Sequence, residues 1–252
     1  MTRPVILHFH LFKNAGTSVD AALKQNFDQG WAQIESQDLR QLGSDSLVEF
    51  VRANPHIKAI STHTAAVKIP VQADLKFIPI CFVRHPIDRI RSAYDFEKQQ
   101  TAPTPSALQA KKGTFRDYMN WYLASPPARQ VSDFHAFHFK DFHVVTPETN
   151  RELVEMHAVK AVHDMPWLGL VEQFDKSLEM FVQRIKQDFP GFNRVHVRAN
   201  RTTKSDAKLQ DSLTDFRSRI GEATYRELQE LNAIDFQLYE IVKQRFSDDV
   251  LK

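Results

Sequence analysis

Several kinds of residue that define protein classes are scarce in this sequence. Its 252 residues include only 7 glycines and one cysteine, and neither a repeat nor a low-complexity tract is present. A solenoid and a disordered scaffold are therefore excluded. The single cysteine, Cys81, cannot form an internal disulfide. Because its neighbours at 77–83 are apolar, we expect a buried thiol in a reducing compartment.

An excess of charge of either sign is also lacking. The 33 lysines and arginines nearly balance the 31 aspartates and glutamates, and the formal net charge is +2. This balance gives no long-range field toward nucleic acid or a membrane surface, so any anion binding must be local. No apolar run approaches the roughly 20 residues that span a bilayer, and residues 1–14 lack the pattern of a signal peptide. We therefore expect a cytoplasmic protein with no integral membrane segment and no nucleic-acid partner.

The composition that is present is ordinary for a globular protein, with 42% hydrophobic and 25% charged residues, and it predicts one domain across residues 1–252. Strand-like apolar runs alternate with segments of helical spacing. The strand-like runs are residues 5–9, 58–61, 76–83 and 167–171, and the helical segments begin near 17, 86, 150, 177 and 228. The alternation predicts a three-layer α/β fold with a central, mostly parallel sheet flanked by helices. Ligands of such folds bind beyond the carboxyl ends of the strands.

The first candidate anion site is FKNAGTS at residues 12–18, between the first strand and the first helix. Gly16 permits close backbone approach, the helix start offers free N–H groups, and Lys13 adds a mobile charge. Thr17 and Ser18 supply N-cap chemistry. The segment is not a Walker A loop, because its lysine precedes the glycine instead of following it, so a kinase or NTPase is disfavoured. An ordinary capped helix start is the alternative interpretation.

The second candidate anion site is VRHPIDRIRSAY at residues 83–94, where a strand again leads into a helix. Arg84 ends the strand and Ser92 lies about two turns into the helix, so a guanidinium and a hydroxyl can converge on one phosphate. The alternative is a solvated basic helix with Arg89 and Arg91 exposed. Because both candidate sites occur in the same strand-to-helix context of one α/β chain, we favour the anion-binding interpretation for both.

Together the two segments resemble the 5′-phosphosulfate loop and the 3′-phosphate motif of sulfotransferases that use 3′-phosphoadenosine 5′-phosphosulfate (PAPS). The likeness is greater to the carbohydrate branch that includes heparan sulfate 2-O-sulfotransferase than to the cytosolic phenol and steroid enzymes. Further stretches similar to this branch are residues 169–175, 200–204 and 232–246. One departure is Ala15, which stands where the family often has a second glycine. Its methyl group is tolerable if this residue avoids φ > 0.

The resemblance implies a P-loop-like sulfotransferase fold and an enzyme that transfers a sulfuryl group from PAPS to a hydroxyl of a carbohydrate acceptor, releasing PAP, with no metal required. Lys13 would contact the bridging oxygen of the leaving 5′-phosphate. The residues that would hold the phosphosulfate are Lys13, Asn14, Ala15, Gly16, Thr17 and Ser18. Arg84 and Ser92 would hold the 3′-phosphate. The late polar loop that would close over the nucleotide contributes Arg201, with Thr202 and Lys204 as weaker candidates.

Sulfuryl transfer needs in-line alignment, stabilisation of charge on the leaving oxygen, and a base that accepts the proton of the acceptor hydroxyl. His63 is the predicted base. It follows the strand at 58–61, hence at the carboxyl edge of the sheet, and it resembles the catalytic histidine of related carbohydrate sulfotransferases. His8 and His10 alternate on the first strand and could suggest a metal pair, but no third ligand is indicated, so we expect a structural role.

Residues 99–148 interrupt the alternation of strands and helices. They are rich in proline, threonine, lysine and aromatic residues, which predicts a loop-rich insertion on the acceptor side with one short helix near 115–123. Its histidines and phenylalanines fit an aromatic wall for an acceptor, or simply a core, better than a zinc site. The cations interleaved with these rings, which would suit acidic groups, are Lys111, Lys112, Arg116, Arg129 and Lys140.

Two rival functions stay open at this point. A P-loop-like kinase would require ATP and Mg²⁺, whereas a non-catalytic nucleotide-binding module would bind PAP without turnover. The missing Walker lysine weighs against the kinase. The presence of both Lys13 and His63 weighs against the module.

Overall fold

The computed structural model describes residues 2–35, 45–125, 128–193 and 206–250. Its strands are β1 Arg3–Phe9, β2 Trp31–Gln33, β3 Ala59–Thr62, β4 Leu75–Val83 and β5 Gly169–Leu170. They form one five-stranded sheet in the order β2-β3-β1-β4-β5, and every neighbouring pair is parallel. The predicted α/β fold with a parallel central sheet is confirmed.

Helices flank this sheet. Within the described ranges they are α1 Gly16–Phe27, α2 Asp45–Ala53, α3 Pro86–Gln99, α4 Pro105–Lys112, α5 Phe115–Leu123, α6 Phe134–Phe139, α7 Arg151–Asp164, α8 Phe174–Ile185, α9 Asp206–Ile220, α10 Glu222–Leu231 and α11 Ala233–Val250. The helices expected near 17, 86, 150 and 177 are confirmed as α1, α3, α7 and α8. No helix in the described part of the chain is long and apolar enough to cross a membrane.

The side chains of β1 alternate between two hydrophobic cores. Val5, Leu7 and Phe9 pack on one face of the sheet with α7 and α11, whereas Ile6 packs on the other face with α1 and α8. His8 shares the face of Ile6 and is only 1% exposed. A polar ring in this core needs hydrogen-bond partners, and α1 supplies one of them.

Residues 99–148 are more helical than the sequence predicts. The helix expected near 115–123 is confirmed as α5, but α4 and α6 occupy stretches predicted to be loops. Thr104 and Thr114 accept hydrogen bonds from first-turn N–H groups of α4 and α5, so the threonines of this segment are helix caps. Most of its aromatic rings belong to the cores. The fully or nearly fully buried ones are Phe115, Tyr118, Phe134 and Phe139.

The predicted long C-terminal helix is divided at Asn232. The Asn232 amide donates hydrogen bonds to the Leu228 and Val131 carbonyl oxygens, so α10 ends there and α11 begins with Ala233. β2, α2 and α9 are not predicted from the sequence. β2 has only 3 residues, which is too short for any periodicity to appear.

Candidate active site

The loop between β1 and α1 is strained. Lys13 and Ala15 both have φ of 62°, in the left-handed region that costs a residue with a side chain roughly 1–2 kcal/mol. A methyl group at position 15 is expected to be tolerable if Ala15 avoids positive φ. Because the φ of Ala15 is positive, that condition is not met. Surrounding contacts must hold the loop in this conformation.

Asn14, which lies between the two strained residues, is clamped from several sides. It is 2% exposed, and its side-chain amide donates to the Phe12 carbonyl oxygen at 3.0 Å. The Asn14 Oδ1 lies 3.0 Å from His135 Nε2, and His135 Nδ1 donates to Asp235 Oδ2 at 2.9 Å. Residues from α6 and α11 thus fix the loop. Asn14 and His135 are 121 positions apart, and His135 and Asp235 are 100 apart, so these contacts leave no local pattern in the sequence.

The start of α1 differs from the prediction for Thr17 and Ser18. The helix begins at Gly16, so both residues lie in its first turn, and the N-cap is Ala15, whose side chain makes no capping hydrogen bond. Thr17 is exposed and Ser18 is buried. First-turn N–H groups that lack a side-chain cap are suited to an anion.

Gly16 is required by its contact with His10. A Cβ added at Gly16 would lie 2.0 Å from His10 Cδ2, a distance that no real side chain tolerates. The glycine thus allows an imidazole ring, which the sequence predicts to be structural, to lie directly against the first turn of α1. This places His10 beside the predicted phosphosulfate loop.

Cations gather where β4 meets α3. Arg84 is buried, and its Nε donates to Asp88 Oδ2 at 2.7 Å while its Nη1 donates to the Lys13 carbonyl oxygen at 3.1 Å. Arg91 donates to Asp88 Oδ1 at 2.8 Å. The Lys13 Nζ lies 4.5 Å from the centroid of the Phe96 ring. Burial first, and then the nearby Arg84 and Arg91, lower the pKa of Lys13.

Two other residues of α3 have different places. Ser92 is half-buried, two helical turns beyond Arg84. Arg89 is fully buried and donates to the Gln130 side-chain and main-chain oxygens at 2.9 and 2.6 Å, and burial lowers its pKa to about 10. The alternative of a solvated basic helix is therefore wrong for Arg89, which is a core residue.

The predicted base lies at the end of β3 with an unpredicted partner. His63 Nδ1 donates to Glu35 Oε1 at 2.5 Å, and its side chain is 39% exposed. The His63 ring lies against that of His10, with centroids 3.8 Å apart. Arg84 thus contacts Lys13, and His63 contacts His10, the ring that lies against Gly16.

His8 and His10 share a carboxylate that the sequence did not indicate. Each donates from Nδ1 to one oxygen of Asp20 at 2.8 Å, and Ser61 Oγ lies 3.1 Å from His8 Nδ1. Burial raises the pKa of Asp20, but the hydrogen bonds from the two imidazoles outweigh it and hold that pKa well below its usual range. These three residues could hold a metal ion by position, yet the direct contacts satisfy both carboxylate oxygens without one.

The remaining predicted cofactor residues, Arg201, Thr202 and Lys204, lie outside the described residues.

A parallel sheet with a strained, cation-lined loop between its first strand and first helix is typical of α/β proteins that bind an anion at the carboxyl edge. The chain matches the sulfotransferase family over residues 2–241, and it belongs to that family. An uncharacterized protein of Archaeoglobus fulgidus is 32% identical over 254 residues, covering 98% of this chain and 99% of that protein. Family membership supports sulfuryl transfer as the general activity.

Proposed function

We propose that this chain transfers a sulfuryl group from PAPS to a hydroxyl of a carbohydrate acceptor, as in the branch that includes heparan sulfate 2-O-sulfotransferase. The observation that supports PAPS most directly is the hydrogen bond from Arg84 to the Lys13 carbonyl oxygen at 3.1 Å. This contact supports treating the two candidate anion-binding segments as one continuous site. A continuous site suits a nucleotide with anionic groups at both its 5′ and 3′ ends.

In the proposed mechanism, Lys13 stabilises charge on the leaving 5′-phosphate oxygen, and the first turn of α1 holds the phosphosulfate through backbone N–H groups and the Thr17 and Ser18 hydroxyls. Asn14 and Ala15 shape the loop. The acceptor oxygen forms a bond to sulfur as the bond from sulfur to the phosphate oxygen breaks, and PAP leaves. His63 accepts the hydroxyl proton at Nε2, because its Nδ1 is engaged by Glu35.

For the 3′-phosphate we propose Arg84 and Ser92, with Arg201, Thr202 and Lys204 as further nucleotide contacts. A phosphate would replace part of the contact between Arg84 and Asp88. Because Arg91 also donates to Asp88, this carboxylate would keep a cationic partner in the complex.

The proposal that residues 99–148 bind the acceptor has weaker support than the proposal for the donor site. Arg116 pairs with Glu227, Arg129 pairs with Glu148, and Lys140 donates to Asp141. These cations are engaged within the chain, so the case that they bind an acidic acceptor is weaker than composition suggests. The carbohydrate assignment therefore rests on the motifs of the cofactor site and on His63.

The donor assignment is tested by calorimetric titration with PAP, adenosine 5′-phosphosulfate and ATP. We expect the wild-type protein to prefer PAP. Ser92→Ala should weaken PAP binding by about 10- to 150-fold, the equivalent of about 1.5–3 kcal/mol for one charge-assisted hydrogen bond, and leave adenosine 5′-phosphosulfate unaffected. Arg84→Ala should weaken both ligands, because Arg84 also anchors Lys13. The exposed Ser218→Ala is the matched control, and equal wild-type affinity for all three ligands would contradict the assignment.

The role of His63 is tested by turnover. His63→Ala should keep PAP affinity within a few-fold but lower kcat by roughly 10²–10⁴, the usual contribution of a general base. The control is His56→Ala, which alters an exposed histidine. Near-normal turnover of His63→Ala would remove this residue from the mechanism.

A further inference from the structure

Register in the sheet brings an acidic residue beside the proposed base. β2 and β3 are parallel, and Gln33 is the register partner of Ser61. Glu35 and His63 each follow two residues after these partners, just beyond the ends of β2 and β3, so both residues lie at the carboxyl edge of the sheet. A carboxylate is therefore delivered to this imidazole by strand pairing.

Glu35 holds both the ring and the backbone of His63. Its Oε1 accepts from His63 Nδ1 at 2.5 Å, and its two oxygens lie 3.1 and 3.0 Å from the His63 backbone nitrogen, which donates to them. Partial burial raises the pKa of Glu35, but these hydrogen bonds outweigh burial and keep it below its usual range. An ionised carboxylate can only accept, so in the neutral imidazole the proton is on Nδ1 and the lone pair is on Nε2.

A second imidazole–carboxylate pair lies against the His63 ring. His10 donates to Asp20 at 2.8 Å, and its ring centroid is 3.8 Å from that of His63. The same His10 ring is in contact with Gly16 at the start of α1. The base is thus held between Glu35 and a ring that touches the phosphosulfate loop.

We propose that Glu35 is the positioning residue of the base: it fixes the Nδ1–H tautomer and the orientation of His63, so that Nε2 faces the acceptor hydroxyl. This inference rests on the proposed function of His63. After the hydroxyl proton moves to Nε2, the imidazolium that forms lies against the Glu35 carboxylate, which stabilises it. Glu35 takes no proton and contacts neither substrate.

The tautomer can be read without any turnover. In ¹⁵N-labelled protein at alkaline pH, where imidazoles are neutral, long-range ¹H–¹⁵N spectra should show His63 with a protonated Nδ1 and an unprotonated Nε2. His63→Asn identifies its signals by their loss. In Glu35→Ala the proton should shift toward Nε2, the tautomer that a histidine side chain favours in water. A wild-type ring protonated mainly on Nε2, or an unchanged tautomer in Glu35→Ala, would overturn the proposal.

Kinetics then separate positioning from binding. Glu35→Ala should lower kcat by about 10- to 100-fold, by analogy with the loss of a carboxylate behind a metal-bound imidazole, while KM for PAPS and for the acceptor changes less than about threefold. Glu35→Gln should recover part of kcat, because its amide oxygen still accepts from Nδ1–H. Asp74→Asn, which alters an exposed carboxylate paired with Arg52, is the control and should leave kcat unchanged.

These outcomes are distinguishable from failure of the proposed function. A wild-type protein that neither binds PAP nor transfers sulfuryl groups would refute the function, and the spectra would still decide whether Glu35 sets the tautomer. An active wild type whose Glu35→Ala variant folds and keeps kcat within about twofold would refute the positioning role alone.

Discussion

At the scale of single residues, the candidate site includes side chains whose role becomes apparent only from the folded structure. Asp20, Glu35 and His135 occur in stretches with no motif, and each becomes part of the site through partners elsewhere in the chain. The position of Lys13 and Arg84 at strand-to-helix junctions could be predicted, because such junctions have a local sequence pattern. Contacts between distant positions have no such pattern.

Gly16 provides the sharpest test at this scale. Because a Cβ there would lie 2.0 Å from the His10 ring, Gly16→Ala should cost about 1–3 kcal/mol of unfolding free energy, as overpacking does, and should lower kcat by displacing His10 against His63. Denaturant unfolding and sulfuryl-transfer assays measure the two effects. The matched control is Gly191→Ala, where an added Cβ has nothing within 4 Å and should be neutral. Equal behaviour of the two variants would contradict the contact.

At the scale of elements, α6 and α11 cap one another. Asp133, the N-cap of α6, accepts from the backbone N–H groups of Ile234 and Asp235 at the start of α11. Asp235 in turn accepts from the backbone N–H groups of His135 and Ala136 in α6. This reciprocal capping places His135 where it reaches Asn14, so two helices remote in sequence support the strained loop.

The elements that sequence could predict are those with a strong local signal. Continuous apolar runs marked β1, β3 and β4, and helical spacing marked α1, α3, α7 and α8. The helices α4 and α6 were hidden because proline, threonine and aromatic residues favour loops in isolation, whereas here Thr104 and Pro105 begin a helix and Phe134 and Phe139 fill a core.

The reciprocal caps predict a pH dependence. Burial first, and then the nearby Asp235, raise the pKa of Asp133 to about 7 from 3.8, although Arg151 opposes this. Because the folded-state pKa lies above the unfolded one, the folded protein keeps a proton that the unfolded chain releases. The stability from this group is therefore present below pH about 4 and is lost as pH rises to about 7. Unfolding free energies of wild type and Asp133→Asn should diverge across that window, and parallel profiles would contradict the assignment.

At the scale of the whole molecule, the candidate site is assembled at one edge of the sheet by three adjacent strands. His63 directly follows β3, β1 leads into the loop with Lys13, and Arg84 directly follows β4. The order of the strands therefore places the proposed base and the 3′-phosphate residue on opposite sides of the loop. A donor nucleotide can then lie across β1 and β4 while its sulfate faces β3.

In the proposed mechanism, fixed cations take the place that Mg²⁺ has in phosphoryl-transfer enzymes, so sulfuryl transfer should persist in EDTA within about twofold of the untreated rate. The His8, His10 and Asp20 cluster makes the experiment informative, because these residues could hold an ion by position. Activity should be measured after chelation and after return of Zn²⁺ or Mg²⁺ separately. A loss restored by Zn²⁺ would assign a required metal to that cluster. A loss restored by Mg²⁺, together with turnover of ATP, would favour the rival kinase function.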